Sequence, residues 1–408
     1  MIKNTNKSFS WLQLILVVFF VWHTTIPALG FYTPAIIFAA SVLLLYAMIF
    51  LRCVSVYKWS FFLSVVVSIL GLYFLEVLYF GTNNLLISIY VIMQMGLYPL
   101  LILYITEYTN KKFVRYLFWA VLGSYLFTSI TTYFGCIVYP GASRTLAVTE
   151  EDMGSDIYAM YKMANIGNLS FTYSLVLLIP QVIEMYKLRI VNPLLPIVML
   201  IILTITILET EYTAALLLML VSFLLILLPA NLKRKHLWPL LISVIALFFD
   251  VKVLIGDFLI WASSTISSDT MAVRLYDLGQ TFTMGTDYVG EGDVVSRMEL
   301  YEMSLNSFMN SPIWGGVGKV GGHSLFIDTL GRYGIIGLLV IGLSYKKSWE
   351  HFYKPFADQP YYGHLMFSFV LVLAMAVLNP KDNLGVLTFT IPLFALYNSQ
   401  KYENTLGC

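Results

Sequence analysis

The sequence predicts an all-α integral membrane protein with about twelve transmembrane helices. Three observations carry that expectation: 59% of the 408 residues are hydrophobic, 12% are charged, and apolar runs recur without two-residue alternation. A soluble domain would carry about 25% charged residues. Lipid offers the backbone no hydrogen-bond partner, so a chain dissolved in it must close its bonds within helices or a sealed barrel, and the missing alternation excludes the barrel. A formal net charge of +1 gives no electrostatic footprint for a nucleic-acid partner. Cys53, Cys136 and Cys408 lie far apart with no CxxC spacing, so neither a disulfide framework nor a zinc site is expected. Cys408 is the last residue rather than fourth from the end, and no small-residue cleavage site follows Trp11–Val21, so the first run reads as a retained helix.

In chain order the expected spans are 9–26, 33–51, 59–80, 85–105, 113–139, 165–185, 194–208, 213–229, 237–256, 324–343, 361–379 and 384–397. The first two are separated by Pro27 and Pro34. The seventh and eighth meet at Glu209-Thr-Glu-Tyr-Thr, too short and too polar to be anything but a tight turn. Lys3, Lys7, Arg52, Lys58, Lys111, Lys112, Arg115, Lys187, Arg189, Lys233-Arg-Lys, Lys346, Lys347, Lys354 and Lys401 then fall on one side, two-thirds of the 24 Lys and Arg. By the positive-inside rule that side is the cytoplasm, and both termini lie there. Most of the acids fall toward the opposite face.

This topology divides the chain into helices one to nine over 1–256, a large outer loop over 257–323, and helices ten to twelve with a cytoplasmic C-terminus over 324–408. A smaller outer loop, 140–162, carries Arg144 and the cluster Glu150-Glu-Asp. Within the large loop, Val253–Trp261 is expected to lie amphipathically at the interface. Ser296-Arg-Met-Glu299 reads as a capping box opening a helix that stops before Pro312, with Arg297 in its first turn. Glu76, inside the third span, stands out because intramembrane acids are functional by default, although snorkelling or pairing with another helix would also explain it.

The densest polar information runs from Arg297 to Arg332: a helix opened by an arginine, a stretch with Gly315, Gly316, Gly318, Gly321 and Gly322, then His323 at the start of the tenth span. Gly316-Val-Gly-Lys-Val-Gly321 satisfies GxGxxG, but no buried strand precedes it, so it is not read as a nucleotide site. Asp328 and Arg332 share a helix face, the spacing of an ion pair. Asp328 is five residues from His323, about 140° around a helix, and so is not placed to orient the imidazole.

This stretch resembles the O-antigen polymerase and ligase superfamily of bacterial cell-surface polysaccharide assembly. The resemblance rests on Arg297, Pro312, Gly316, Gly318, His323, Ser324 and the run Tyr333 to Gly337, Tyr-Gly-Ile-Ile-Gly. Helical hydropathy and one large late outer loop extend it, less specifically, to nearly all of the chain. One departure is the turn Glu209-Thr-Glu211-Tyr212, where family members often carry a basic residue, so no role of that arginine transfers.

The resemblance implies a GT-C-like glycosyltransferase that moves a glycan from undecaprenyl diphosphate to a sugar hydroxyl on the outer face. Such a reaction needs guanidinium groups to stabilise a departing lipid diphosphate and a base to take the acceptor's proton. Arg297 is the expected phosphate-binding catalytic arginine and His323 the expected base. Arg274 and Arg144 are further candidates for substrate binding, or else anchors among lipid headgroups. Gly316, Gly318 and Ser324 complete the expected substrate site. His23, His236, His351 and His364 keep structural readings. The first outer loop lacks Asp and Glu, so no metal is expected, nor any other cofactor.

The implied activity is polymerisation of lipid-linked repeat units into an O-antigen, capsule or exopolysaccharide. Its expected partners are the undecaprenyl-diphosphate-linked donor and acceptor, the bilayer, a flippase and a chain-length regulator. Glycan transfer to another acceptor is the nearest alternative. A flippase of lipid-linked oligosaccharide is the rival class, and it would show broken helices and polar residues near the midplane.

Overall fold

The computed structural model describes residues 9–52, 85–146, 156–228, 252–266, 269–284, 293–316, 320–322, 324–378 and 385–405. Among them the architecture is helical throughout, with no strand. The first segment contains α1 (Trp11–Thr25), α2 (Pro27–Tyr32) and α3 (Ala35–Arg52). Then follow α4 (Leu85–Tyr108), α5 (Lys111–Val138), α6 (Ala142–Thr145), α7 (Asp156–Met163), α8 (Leu169–Lys187), α9 (Leu194–Glu209) and α10 (Thr213–Leu227). The later part holds α11 (Lys252–Ser263), α12 (Asp269–Met284), α13 (Asp293–Asn310), α14 (Leu325–Ser348), α15 (Tyr362–Leu378) and α16 (Ile391–Thr405). A π turn, Trp349–Tyr353, and a 3₁₀ turn prolong α14, and another π turn, Val386–Thr390, leads into α16.

Each expected span within the described residues is occupied by a helix. The span 59–80 with Glu76, most of 237–256 and the acidic cluster at 150–152 lie outside the described residues. Among the described residues, three helices are long and apolar enough to cross a membrane: Lys111–Val138, Leu169–Lys187 and the prolonged Leu325–Phe356. Six shorter apolar helices accompany them among the described residues.

The bundle is organised around α8, whose side chains from Phe171 to Met185 are all buried. It packs against α9, α10, α15 and α16. Facing outward instead are large apolar side chains, including Leu12 and Ile15 on α1, Ile36 on α3, Phe134 on α5, Ile201 on α9 and Leu339 on α14. Exposed aliphatic surface spread over so many helices is what a lipid-facing bundle presents, and water would penalise it. Several hydroxyls inside helices are satisfied locally: Thr106, Ser222 and Ser344 each donate to the carbonyl four residues back. Pro99 and Pro180 sit inside α4 and α8, as proline does more readily in membrane helices than in soluble ones.

Two expectations for the large loop need correction. Its boundary at 256/257 falls inside α11, which pairs with α12 as a tight hairpin. Gly256 and Gly279 face each other there, and a Cβ on either would stand 2.7 Å from the other's carbonyl oxygen. Small residues allow that close crossing, and Leu259, Met271 and Leu275 form the hairpin's own apolar cluster, with Leu216 of α10 packed on it. Residues 252–256 therefore belong with the hairpin rather than with the ninth expected span.

The second correction concerns Arg297. Its helix begins at Asp293, three residues before the expected cap, so Ser296 is inside the helix and Arg297 lies beyond the first turn. An acid in the opening turn meets the positive end of the helix dipole, which favours the earlier start. The end at Asn310, before Ser311-Pro312, is where the sequence places it.

Candidate functional site

The described residues between α13 and α14 are bonded into the two helices. Ser304 and Ser307, three residues apart on one face of α13, are both buried. Ser304 Oγ donates to Asp328 Oδ1 at 2.7 Å and accepts from the Gly321 amide at 2.9 Å. Asp328, in the first turn of α14, also accepts from the Gly322 amide (3.2 Å, Oδ1) and the Ser324 amide (2.9 Å, Oδ2). One carboxylate thus ties down the backbone on both sides of position 323. Ser324 caps α14 by accepting from the Ile327 amide at 3.3 Å, so Ser324 and Asp328 cap each other's helix end reciprocally. The carboxylate that helical spacing placed beside Arg332 is in this way the keystone of a buried network.

Farther along, α14 breaks at Gly334, whose φ of 64° and ψ of −157° are accessible only to glycine. The break frees the amides of Ile335 and Ile336, which donate instead to the carbonyls of Pro312 (2.9 Å) and Ile313 (3.4 Å). Gly331, the carbonyl that an unbroken helix would pair with Ile335, accepts from the Gly316 amide (3.0 Å) and Ser307 Oγ (3.1 Å). Both freed amides and the Gly331 carbonyl thus find partners in the 311–316 turn and on α13. Irregular backbone at membrane depth is tolerated only under such cover.

Seen together, the glycines permit close approach. A Cβ on Gly315, Gly316, Gly321 or Gly334 would overlap the backbone of Arg332, Ser307, Leu300 or Ile313 respectively. The amide of Gly316 donates to the Gly331 carbonyl, and the side chain of Ser324 is buried and caps α14. Both expected substrate-binding residues take part in the frame of the turn. His323 and Gly318 lie outside the described residues. Arg297 is placed on α13, and α13 packs on α14 and on α12, the helix that carries half-buried Arg274. Three of the expected residues, Arg297, Arg274 and Ser324, are therefore carried by one packed unit.

Arg144 belongs to a different group. It lies on the one-turn helix α6, held by Ser143 Oγ donating to the Gly167 carbonyl at 2.6 Å. The Tyr212 hydroxyl donates to the Ser143 carbonyl at 2.7 Å, which docks the turn between α9 and α10 against α6. Burial raises the Tyr212 phenol's pKa, opposed by its bond to Ser143 and by the nearby Arg144 charge. A cation therefore stands beside the very turn that lacks one in sequence. Glu211 in that turn takes a positive φ of 56°. Asn165 knits the same end together: its Oδ1 accepts from the Ala28 amide (3.1 Å) and its Nδ2 donates to Thr131 (2.8 Å).

A third group escapes the sequence reading. Gln181 and Glu184 on α8, His364 and Ser368 on α15, and Asn398 on α16 are all fully buried. Gln181 Nε2 donates to Ser368 Oγ at 3.1 Å, and Asn398 Nδ2 donates to Glu184 Oε1 at 2.6 Å. Gln181 Oε1, Glu184 Oε2, Asn398 Oδ1 and both ring nitrogens of His364 have no hydrogen-bond partner among the described residues. The rule that singles out Glu76 applies equally to Glu184 inside 165–185, and that was the available signal. Replacing Glu184 with alanine strands Asn398 Nδ2 and opens a cavity, which should cost about 3 kcal/mol of stability. Glu184→Gln keeps volume and acceptor and should stay within about 1 kcal/mol, as thermal unfolding in detergent would show; equal losses would mean that the Asn398 bond contributes nothing.

Among the described residues no three His, Cys, Asp or Glu side chains gather as a metal site would require. Compared with known proteins, the chain matches no family model and no curated sequence.

Proposed function

We propose that this chain is a membrane glycosyltransferase of the O-antigen polymerase type, joining undecaprenyl-diphosphate-linked repeat units on the outer face of a bacterial inner membrane. The proposal takes the about twelve spans and the cytoplasmic termini of the sequence reading as its topology. The observation that carries it is the clamp of Asp328 on the amides of Gly322 and Ser324, beside the Arg297-bearing helix. Resemblance assigns the base to position 323, and a base needs a fixed backbone under it. Arg297 pairs with the donor diphosphate and stabilises the charge left on it. Arg274 and Arg144 supply further positive charge to the outer surface. His323 takes the proton of the acceptor hydroxyl, so direct displacement with inversion is the expected stereochemistry.

Asp328→Asn tests the clamp. An amide keeps one acceptor and turns a donor toward the remaining N–H groups, so the exchange protection of the Gly322 and Ser324 amides should fall by about ten- to 150-fold. Unchanged protection would remove the clamp from the argument.

A second reading, a flippase of lipid-linked oligosaccharide, is favoured by the helix break at Gly334 and the buried polar group around Glu184. Complementation separates the two readings. In a strain lacking its own polymerase, wild type should restore the polysaccharide ladder. Arg297→Ala and His323→Ala, at matched expression, should leave single lipid-linked units on the outer face. Units trapped on the inner face would instead identify transport.

A further inference from the structure

The proposed reaction makes no use of the polar group buried between α8, α15 and α16, three helices that pack on one another. Gln181 and Glu184 share one face of α8, and His364 and Ser368 lie one turn apart on α15. Ser368 Oγ donates to the Leu177 carbonyl at 3.2 Å, so toward Gln181 it accepts, which fixes that amide with Nε2 at the serine and Oε1 turned away. A carboxylate likewise only accepts, so Asn398 gives Glu184 its Nδ2 and leaves Oδ1 unpaired. Ser368 meets α8 at Leu177 and Gln181, whereas His364 lies within reach of the Lys187 charge. The two helices are therefore antiparallel, which sets His364 at the level of Glu184.

Donors and acceptors in this group do not balance. Gln181 Oε1, Glu184 Oε2, Asn398 Oδ1 and both His364 ring nitrogens lack partners among the described residues. A neutral imidazole contributes one N–H, so one donor faces four acceptors. Unpaired acceptors in an apolar interior are costly, and what satisfies them must be positive where it meets oxygen. The neighbouring Lys187 ammonium does not do so, because it donates to the carbonyls of Leu225 and Leu228 at the end of α10. Hard cations take oxygen ligands of the carboxylate and amide kind. A single carboxylate balances a single positive charge, whereas a divalent ion would leave net charge in the apolar interior. No three His, Cys, Asp or Glu side chains gather among the described residues as a tighter metal centre would need. Gln181, Glu184, His364, Ser368 and Asn398 are all at 0% exposure, which suits a bare ion and not an organic ammonium.

We propose that Gln181, Glu184 and Asn398 form a buried binding site for a monovalent cation of sodium's size, its charge balanced by the Glu184 carboxylate. The site rests on these buried side chains alone, and loss of the glycosyltransferase reading would leave it standing.

The test uses the full chain in detergent, with radioactive sodium as the probe and choline chloride holding the ionic strength constant. Wild type should retain sodium, and its melting temperature should rise when NaCl replaces choline chloride, because an ion that binds only the folded chain stabilises it. Glu184→Gln and Gln181→Met each remove one oxygen contact to a charged ligand, so each should weaken retention about ten- to 150-fold. Both substitutions keep side-chain volume, and melting near the wild-type temperature in choline chloride would show that the variants are folded. Glu350→Gln removes an exposed carboxylate elsewhere and should leave retention unchanged. Retention by Glu184→Gln equal to wild type would put the ion elsewhere and overturn the site. Wild type that retains no sodium, while the infrared band of a protonated Glu184 carboxyl disappears as pH rises, would make a proton the only occupant and overturn the cation assignment.

Discussion

His323→Ala is expected to slow polymerisation by about 10²- to 10⁴-fold, the range a positioned general base contributes. The measurement is single turnover of a lipid-linked repeat unit by protein in proteoliposomes, with donor binding followed separately. Arg297→Ala should cost about ten- to 150-fold if, as proposed, it removes one hydrogen bond to a charged group formed mainly in the transition state. The two differ in pH behaviour. A base works only when deprotonated, so the wild-type rate should fall as pH drops and the imidazole takes up a proton. Arg297→Ala should keep that fall and His323→Ala should lose it. A His323→Ala rate within threefold of wild type would remove the residue from the chemistry, whatever becomes of the membrane topology.

Gly315→Ala is expected to have the largest effect on the folded state. Gly315 holds φ at 86°, and an added Cβ would run into the Arg332 carbonyl, which is backbone and cannot swing away. The left-handed conformation alone costs about 1–2 kcal/mol in a residue with a Cβ, and forcing the packed backbone apart adds about 1–3 kcal/mol. The turn that satisfies the broken helix then separates from it, and the polysaccharide ladder should be lost with it. Gly322 is the internal control. Its φ is 73°, yet nothing lies within 4 Å of where a Cβ would go. Gly322→Ala should therefore pay only the conformational part, about 1–2 kcal/mol. Thermal unfolding of the two variants in the same detergent decides the matter, and equal losses would show that the approach to Arg332 is not a tight contact.

Helix positions were legible in the sequence because they depend on a one-dimensional property, the length of apolar runs, and lipid leaves such runs few alternatives to a helix. The stop of α13 before Pro312 was legible for a similar reason, since proline's restrictions act on adjacent residues. The start of α13 was not, because Ser296 and Asp293 are both good N-terminal residues and local chemistry does not choose between them. Nor was the α11–α12 hairpin, where Gly256 and Gly279 have meaning only once they face each other.

The candidate site divides along the same line. Sequence alone marked the Arg297 to Arg332 stretch, through the types and order of its residues. Tertiary structure decided how those residues are joined: the Gly316 amide and the Ser324 hydroxyl oxygen bond within the frame, and Asp328 grips the chain on both sides of position 323. Glu184 lies more than 170 residues before His364 and Asn398 in the chain. Local pattern fixes which segments are helices, since a helix closes its hydrogen bonds within itself. Which side chains share a pocket depends on how the helices pack, and that is set by contacts no short stretch of sequence contains.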